Sequence, residues 1–353
     1  MKTKLLALSG ALLFAATNAA VAEDITIGFV TVTELTPVTR ALDDGFRAEA
    51  ARRGAKAIVL EIDLADAVGT GIAAMDQLIA QKVDAIAFWP LDDKAMQAPT
   101  ARAVAAGIPV FAHDLYDDPQ GMVVSSVIQG RTLKGTQAAQ LVCASAPDEG
   151  GKVLYGDFGL PAPTLILLYE TFAAELAKCE KPLTVAAKFD NRSDTVEGAR
   201  PNAEAALLAN PGIVAIDSFN DATSIGASIA ATSVGVRDQL KIFGYNMGMD
   251  GYDALAAKRL DASWDYNAVE IGQRLARVML DYVEGTNTTP DKFTVVWPTL
   301  YTAENLDSFV TQEERIKAVG EGVDLLDQRP GSFTAGATIA TTPATEMPLP
   351  SLK

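Results

Sequence analysis

Strands and helices alternate in strict order over residues 25–113, and this alternation constrains the fold more than any other feature of the chain. Short apolar runs predict the strands, and longer apolar runs at helical spacing predict the helices. The predicted strands span 25–30, 57–62, 83–89 and 108–112, and the predicted helices span 42–53, 72–81 and 98–106. This order predicts a parallel sheet covered by helices, and such sheets bind small molecules beyond the carboxyl ends of their strands.

The alternation pauses at 122–129 and then resumes, which predicts a second doubly wound unit. Its predicted helices span 132–144, 164–177, 195–209, 221–232 and 250–258, and its predicted strands span 152–155, 183–188, 213–217 and 241–245. The strand at 262–264, the helix at 268–283 and the strand at 292–297 are too few for a third domain. We therefore expect an α/β fold of two doubly wound parallel-sheet lobes that are joined by a hinge of three crossing strands.

The two ends of the chain differ from the rest in composition. Lys2 and Lys4 precede an apolar run at 5–16, and Ala20-Val21-Ala22 forms a small-residue cleavage site. This pattern predicts a secretory signal peptide over 1–22, cleaved near Ala22, and therefore export to the periplasm; the alternative is a buried N-terminal helix. Residues 331–353 are rich in Thr, Ala and Pro, which predicts an extended tail.

The charge and the histidine content exclude several functions. The formal net charge is −16, and removal of the two lysines of the signal peptide leaves about −18. Such an acidic chain is a poor partner for nucleic acid, whose binding depends on Lys and Arg at the phosphates. His113 is the single histidine, so multi-histidine metal sites and a Ser-His-Asp triad have almost no material. We expect no metal and no cofactor.

Cys143 and Cys179 are the two cysteines of the chain. Each lies near the end of a predicted helix, and the two helices flank the strand at 152–155. Helices separated by one strand lie side by side on a sheet face, and an exported protein meets an oxidising compartment. The sequence therefore predicts a disulfide, with two separate buried thiols as the alternative.

An ordered set of short motifs resembles the ribose/galactose-type, or type I, periplasmic sugar-binding proteins of ABC importers. The resemblance covers about residues 24–300. The motifs lie at 27–29, 42–46, 78–86, 106–110, 219–221, 243–246 and 260–272. Repressors of the LacI type share this core, but they carry an N-terminal helix-turn-helix and lack a signal peptide, so the chain fits the exported branch.

The resemblance implies two lobes that close over one neutral sugar or polyol, without catalysis. The N-terminal lobe would comprise 23–127 and 267–295, and the C-terminal lobe would comprise 128–266 and 296–330. Closure of lobes about a hinge is an established response to a ligand. The loaded monomer would then dock on the membrane subunits of an ABC importer.

Several residues at predicted strand ends match the ligand residues of this family. Asp114 matches the sugar-binding Asp, and Asn220 matches a ligand amide. Asn246 replaces a family Asp, Tyr266 occupies the position of the hinge Gln, and Asp265 takes that position if the register slips by one. Trp89 follows a strand end and offers a ring face. His113 is expected to be a structural histidine, and Asp221 to cap the next helix.

Other positions depart from the family. Thr36, Val38 and Thr39 replace an Asn and two aromatic residues, which removes a stacking platform. Glu34 either faces the cleft or is a solvated loop carboxylate. Leu115 and the stretch 165–168 stand where the family has arginines. Without these arginines, the resemblance argues against an ordinary pentose site and against an anionic ligand.

Two other binding functions and one enzymatic function remain open at this point. The acidic and aromatic residues would also suit a small cationic or nitrogenous metabolite. The same fold could present its ligand to a membrane sensor instead of an importer. Asp114 with Asp265 could imitate a catalytic carboxylate pair, but the chain has no nucleophile elbow, metal constellation or phosphate loop. We therefore expect a binding protein and not an enzyme.

Overall fold

The computed structural model describes residues 25–32, 37–160 and 162–326, so the predicted signal peptide and the predicted tail lie outside the described residues. The strands are β1 Thr26–Val32, β2 Lys56–Ile62, β3 Ala85–Phe88, β4 Val110–His113, β5 Val123–Gln129, β6 Gly151–Asp157, β7 Leu183–Asp190, β8 Ile213–Ser218, β9 Lys241–Phe243, β10 Ser263–Asp265, β11 Phe293–Val296 and β12 Thr299–Tyr301. The helices are α1 Pro37–Arg52, α2 Ala67–Gln81, α3 Asp93–Ala105, α4 Arg131–Ser145, α5 Pro163–Leu176, α6 Val196–Ala209, α7 Asp221–Val234, α8 Met249–Ala256, α9 Ala268–Val283 and α10 Gln312–Gly320. Among these helices, none is long and apolar enough to cross a membrane.

Six parallel strands form the first sheet, in the order β11-β5-β4-β3-β1-β2. Successive side chains of a strand point to opposite faces, so one strand serves two cores. In β1, Ile27 and Phe29 pack with α1 and α9, whereas Val30 and Val32 pack with α2 and α3. Burial on both faces explains why these strands are nearly continuous apolar runs.

Four parallel strands form the second sheet, in the order β7-β6-β8-β9. Beside it, β10 and β12 pair as a two-stranded antiparallel sheet. Isolated bridges link Phe243 to Ala262 and Asn246 to Asp265, so β10 continues this sheet beyond β9. The predicted α/β fold with two parallel-sheet lobes is confirmed.

Two local predictions in the first lobe are wrong. The alternation does not pause at 122–129, because Val123–Gln129 forms β5 and pairs with both β4 and β11. The first helix begins at Pro37 instead of residue 42. Proline suits the first turn of a helix, where its missing N–H would have no partner. Both differences shorten the loops near the cleft. The earlier start of α1 also places Val38 and Thr39 in its first turn.

Three segments connect the two sheets, as predicted for the hinge. The first crossing is Gly130, between β5 and α4; the second is Tyr266–Asn267, between β10 and α9; the third is Trp297–Pro298, between β11 and β12. Gly130 donates its N–H to the carbonyl of Val296 at 2.9 Å. The Asn267 amide donates to the carbonyl of Trp297 at 2.6 Å. We propose that the lobes divide at these bonded crossings, near the predicted boundaries.

The predicted disulfide is present. Cys143 lies on α4 and Cys179 lies just after α5, and their sulfurs are bonded with Cα atoms 5.8 Å apart. The helices α4 and α5 pack side by side on the second sheet, which is the geometry expected of helices separated by one strand. The bonded cysteines are 36 positions apart in the chain and lie within one lobe.

The last described segment, 302–326, belongs to the stretch that the sequence assigned to the C-terminal lobe, but no helix was predicted there. Phe309 packs against the rings of Tyr252 and Tyr301 of the second lobe, with its ring centroid 5.6 and 5.5 Å from theirs. The segment then forms α10, which packs on α1 and α9 of the first lobe. A capping box at Thr311 and Glu314 begins this helix. The segment therefore spans both lobes in addition to the three crossings.

Candidate ligand-binding site

A pocket of about 720 Å³, counting the open space at its mouth, lies between the two sheets. It opens where the carboxyl ends of the strands of both lobes face each other, as expected for open parallel sheets. Its apolar lining is Val32, Val38, Leu64, Trp89, Leu91, Phe158, Ala162, Leu165 and Phe219. Its polar lining is Thr39, Arg131, Thr164, Asp194, Asn220, Asn246 and Tyr266.

Two aromatic pairs supply the flat surfaces of the pocket. Trp89, just after β3, and Tyr266, in the second crossing, have ring centroids 6.2 Å apart. Phe158, after β6, and Phe219, after β8, have centroids 5.4 Å apart. One pair belongs to the first lobe and the hinge, and the other belongs to the second lobe. Aromatic faces bury large apolar area with little loss of conformational freedom, so they suit the C–H faces of a small ring.

Arg131 is the main positive charge at the pocket. Its presence in the lining corrects the expectation of a site without arginine. The residue begins α4 directly after the first crossing and is buried. Its guanidinium lies 5.4 Å from the ring centroid of Tyr266 and 5.8 Å from that of Tyr245. Leu115 and the stretch 165–168 indeed lack arginine, but the charge reaches the cleft from another strand end.

Asp114 is fully buried and binds Arg131, and it does not line the pocket. One carboxylate oxygen accepts from Arg131 Nη2 at 2.8 Å and from Nε at 3.2 Å. The other oxygen accepts the backbone N–H of Gln129 at 2.9 Å. Burial raises the pKa of Asp114. The charge of Arg131 and these hydrogen bonds outweigh the effect of burial and hold the pKa below its usual value. The pair is therefore ionised.

His113 and Tyr266 form a second buried contact beside this pair. His113 Nδ1 lies 2.8 Å from the carbonyl of Val127, and Nε2 lies 2.8 Å from the Tyr266 hydroxyl. A carbonyl can only accept, so Nδ1 donates and Nε2 accepts the hydroxyl proton. Burial lowers the pKa of His113, which keeps the ring neutral. His113 is thus a partnered structural residue, and Tyr266 lies at the pocket with its hydroxyl fixed.

Asp194 and Asn220 form a polar corner on the second lobe. Asn220 accepts the N–H of Thr223 at 2.9 Å and donates its amide to Asp194. It caps α7, so the expectation that Asp221 would cap this helix is wrong. Burial and, to a smaller extent, the charge of Asp250 raise the pKa of Asp194 to about 7, although the Asn220 hydrogen bond lowers it. Asp194 can therefore donate or accept near neutral pH.

Asn246 reaches the pocket from a strained backbone position after β9. Its φ of 105° is uncommon for a side-chain-bearing residue, although Asn tolerates positive φ better than most. The backbone is fixed because the Asn246 N–H donates to the carbonyl of Trp264 at 2.8 Å, and its carbonyl accepts from Tyr266 at 3.2 Å. These hydrogen bonds to β10 and to the residue that follows it keep Asn246 in its strained conformation.

The remaining predicted residues fall into three groups. Thr39 lines the pocket from α1. Asp265 is buried outside the lining, where it accepts from the backbone N–H of Asn267 and from Arg315. Glu34 and Thr36 lie outside the described residues, so their placement stays a prediction.

Sequence reasoning missed Arg131 and Asp194, and the same rule would have found both. Arg131 follows the carboxyl end of β5, a strand that was taken for a pause. Asp194 lies four residues beyond β7, in the loop that leads to α6. Polar residues at the carboxyl ends of parallel strands are the expected ligand groups, and both fit that rule once the strands are correctly bounded.

Comparisons with known proteins agree with this architecture. A model of the family described as periplasmic binding protein domain matches residues 27–287. The ribose import binding protein RbsB of Bacillus subtilis (strain 168) is 26% identical over 263 residues, which are 74% of this chain and 83% of that protein.

Two solved structures illustrate the similarity in fold. The periplasmic binding protein of the arabinose ABC transporter from Shewanella sp. ANA-3, bound to α- and β-L-arabinofuranose, has a TM-score of 0.74 at 19% identity, covering 84% of this chain and 97% of that one. An ABC transporter solute-binding protein from Bacillus halodurans C-125 with bound myo-inositol has a TM-score of 0.70 at 19% identity, covering 83% and 98%.

Proposed function

This chain belongs to the periplasmic binding protein domain family, and on that premise we propose that it is the solute-binding component of an ABC importer for a neutral sugar or polyol. The family consists of proteins that bind a solute and hand it on, and not of enzymes. The relatives named above bind ribose, arabinofuranose or myo-inositol, which supports a neutral compound rich in hydroxyl groups as the ligand.

The observation that carries the proposal is the combination of ring faces and hydroxyl-binding groups in one pocket. Trp89 and Phe219 offer apolar faces, and Asn220 and Asn246 offer amides that both donate and accept. Sugar hydroxyls likewise donate and accept, while sugar C–H groups need an apolar surface. A few placed polar groups in a mostly apolar cleft are typical of small-molecule sites.

Closure of the lobes follows from where these groups originate. Thr39 and Trp89 come from the first lobe, and Asn220 and Asn246 come from the second. A ligand that touches both sides binds the closed form more tightly than the open one, so it shifts the population toward closure. We propose that the protein acts as an exported monomer and that the closed form docks on the membrane subunits of the importer.

A thermal-shift screen of the mature chain, beginning at Glu23, tests the proposal. The panel contains pentoses, hexoses, cyclic and linear polyols, and cationic metabolites of similar size. Binding raises the melting temperature with ligand concentration by mass action. We expect stabilisation by at least one neutral sugar or polyol. Stabilisation by cationic metabolites alone, or by no compound of the panel, would contradict the proposal.

A pocket variant and a matched surface variant make the screen specific. Asn246→Gly removes the amide while keeping the positive φ, since glycine adopts it readily. Asn287→Gly removes the same amide from an exposed loop outside the pocket lining. We expect Asn246→Gly to reduce the ligand-induced shift and Asn287→Gly to leave it unchanged.

A further inference from the structure

We propose that Asp114 determines the charge of the ligand by neutralising Arg131 and does not contact the ligand itself. The inference rests on the proposed function, because it concerns the same pocket. It also departs from the role that the family resemblance implies for Asp114, namely a direct bond to the sugar.

The contacts of Asp114 leave its carboxylate committed to the protein. Arg131 donates to one oxygen from Nη2 and Nε, and the Gln129 backbone donates to the other, at distances of 2.8–3.2 Å. The Tyr266 hydroxyl lies 3.5 Å from the oxygen that binds Arg131. The left-handed backbone of Asp114, with φ of 55°, aims the side chain at the first crossing. Asp114 is absent from the pocket lining, whereas Arg131 is part of it.

Arg131 is therefore the group that a ligand meets. Its guanidinium is buried beside the rings of Tyr245 and Tyr266, and it carries five N–H donors, of which Asp114 takes two. A guanidinium beside a pocket would normally select carboxylate or phosphate, because its planar fork fits both. The buried carboxylate of Asp114 cancels this charge and leaves the hydrogen-bond donors.

Two further buried cations outside the lining are also paired with carboxylates. Lys134 lies 2.6 Å from Asp217, and Arg315 lies 2.5 Å from Asp265. Asp194 lines the pocket, and its raised pKa of about 7 keeps it largely protonated at about pH 6. With Arg131 paired to Asp114 and Asp194 largely protonated, the lining suits a neutral ligand rich in hydroxyl groups.

The decisive variant is Asp114→Asn, which keeps the shape and removes the compensating charge. Binding is measured by calorimetry at about pH 6 with two sugar series that differ only at C5: L-arabinose, D-galactose and D-galacturonate; and D-xylose, D-glucose and D-glucuronate. We expect Asp114→Asn to raise the affinity for the uronates relative to the matched neutral sugars by about tenfold or more, since a charged hydrogen bond becomes available.

A reciprocal variant and two controls complete the test. Arg131→Gln leaves Asp114 as an unpaired carboxylate, so we expect D-galactosamine to gain affinity relative to D-galactose. The double variant Asp114→Asn/Arg131→Gln removes both charges and should restore the wild-type ratios. Asp118→Asn removes a carboxylate of the same loop that pairs with Lys292 outside the pocket, and it should leave every ratio unchanged. Circular dichroism verifies that each variant is folded.

The outcomes separate this inference from the proposed function. If folded Asp114→Asn loses neutral sugars and gains no uronate, Asp114 contacts the ligand directly and the inference is wrong. If the single variants are folded and neither uronates nor galactosamine gain affinity, the inference is also wrong, whichever neutral ligand the wild type prefers. The proposed function fails on different evidence, namely a wild-type protein that no neutral sugar or polyol stabilises.

Discussion

At the scale of single residues, the site is governed by how each buried charge is compensated. Arg131 and Asp114 compensate each other, and His113 remains neutral because burial lowers its pKa. Asp194 differs, since an amide and not a cation is its partner. An ionised carboxylate in such a place lacks a compensating charge, and this has a measurable consequence for stability.

Asp194 should make the protein less stable as the pH rises from about 4 to about 7. Its pKa is raised to about 7 in the folded state, from an ordinary value of 3.8. Between these values the folded state binds more protons than the unfolded state, so unfolding becomes easier as the pH rises. Asp194→Asn should flatten this part of the profile of melting temperature against pH and raise stability above pH 7 by about 1 kcal/mol, after allowance for solvent screening.

The measurement is a comparison of thermal unfolding curves of the wild type and the variant over that range. Asp221 has a pKa raised to about 8 by burial and by Asp250, so part of the slope should remain in the variant. An unchanged difference in melting temperature between the two proteins at pH 4 and pH 7 would contradict the assignment.

At the scale of elements, the three crossings decide how the lobes move. Hydrogen bonds from Gly130 and Asn267 join the crossings to one another. The side-chain amide of Gln129 adds a contact of 3.5 Å to the carbonyl of Tyr266. Gly130 also lies directly against the ring of Trp297: a Cβ at Gly130 would come within 2.1 Å of that ring. The close approach requires glycine for space, because its φ of −75° is open to any residue.

Gly130→Ala should therefore disturb the hinge. The added methyl must displace the Trp297 ring, and overpacking of this kind costs about 1–3 kcal/mol of unfolding free energy. Gly320→Ala is the matched control, since nothing lies within 4 Å of a Cβ there. Chemical denaturation of both variants measures the difference. Equal stability of the two variants would show that the contact with Trp297 is not tight.

The elements also show what could be predicted from the sequence. The two lobes, the disulfide and the pocket face follow from apolar periodicity and strand order, which depend on local sequence. The start of α1 at Pro37 and the strand β5 were missed, because a short strand of Val and Ser resembles a loop until its neighbours are known. Arg131 was missed with β5, since its role depends on a partner 17 residues away in the chain. Contacts across the fold, such as Arg131 with Asp114, leave no periodic trace in the sequence.

At the scale of the whole molecule, the segment 302–326 forms a fourth link between the lobes. Arg315 of α10 is buried, with Nη2 2.5 Å from Asp265 and Nη1 3.6 Å from Glu270. Burial opposes the charged form, yet these carboxylates raise the pKa of Arg315. Phe309 extends the same link to the second lobe, 5.4 Å from the guanidinium. The segment thus fastens the strand β10, next to the second crossing.

Arg315→Met should be strongly destabilising. Removal of one member of a buried ion pair leaves the other charge uncompensated, at a cost of about 3–5 kcal/mol. Lys317→Met, on the exposed face of the same helix, should change stability by less than about 0.5 kcal/mol. Denaturant unfolding measures both variants. A small effect of Arg315→Met would show that α10 does not fasten the hinge.

The central claim is that the two lobes enclose a neutral, hydroxyl-rich solute. The most direct measurement is a crystal structure of the mature chain grown with the neutral sugar or polyol that raises its melting temperature most. We predict density for that compound between Trp89 and Phe219, with hydrogen bonds to Arg131 and Asn246. A ligand bound elsewhere on the molecule, or a bound ligand that touches only one lobe, would contradict it.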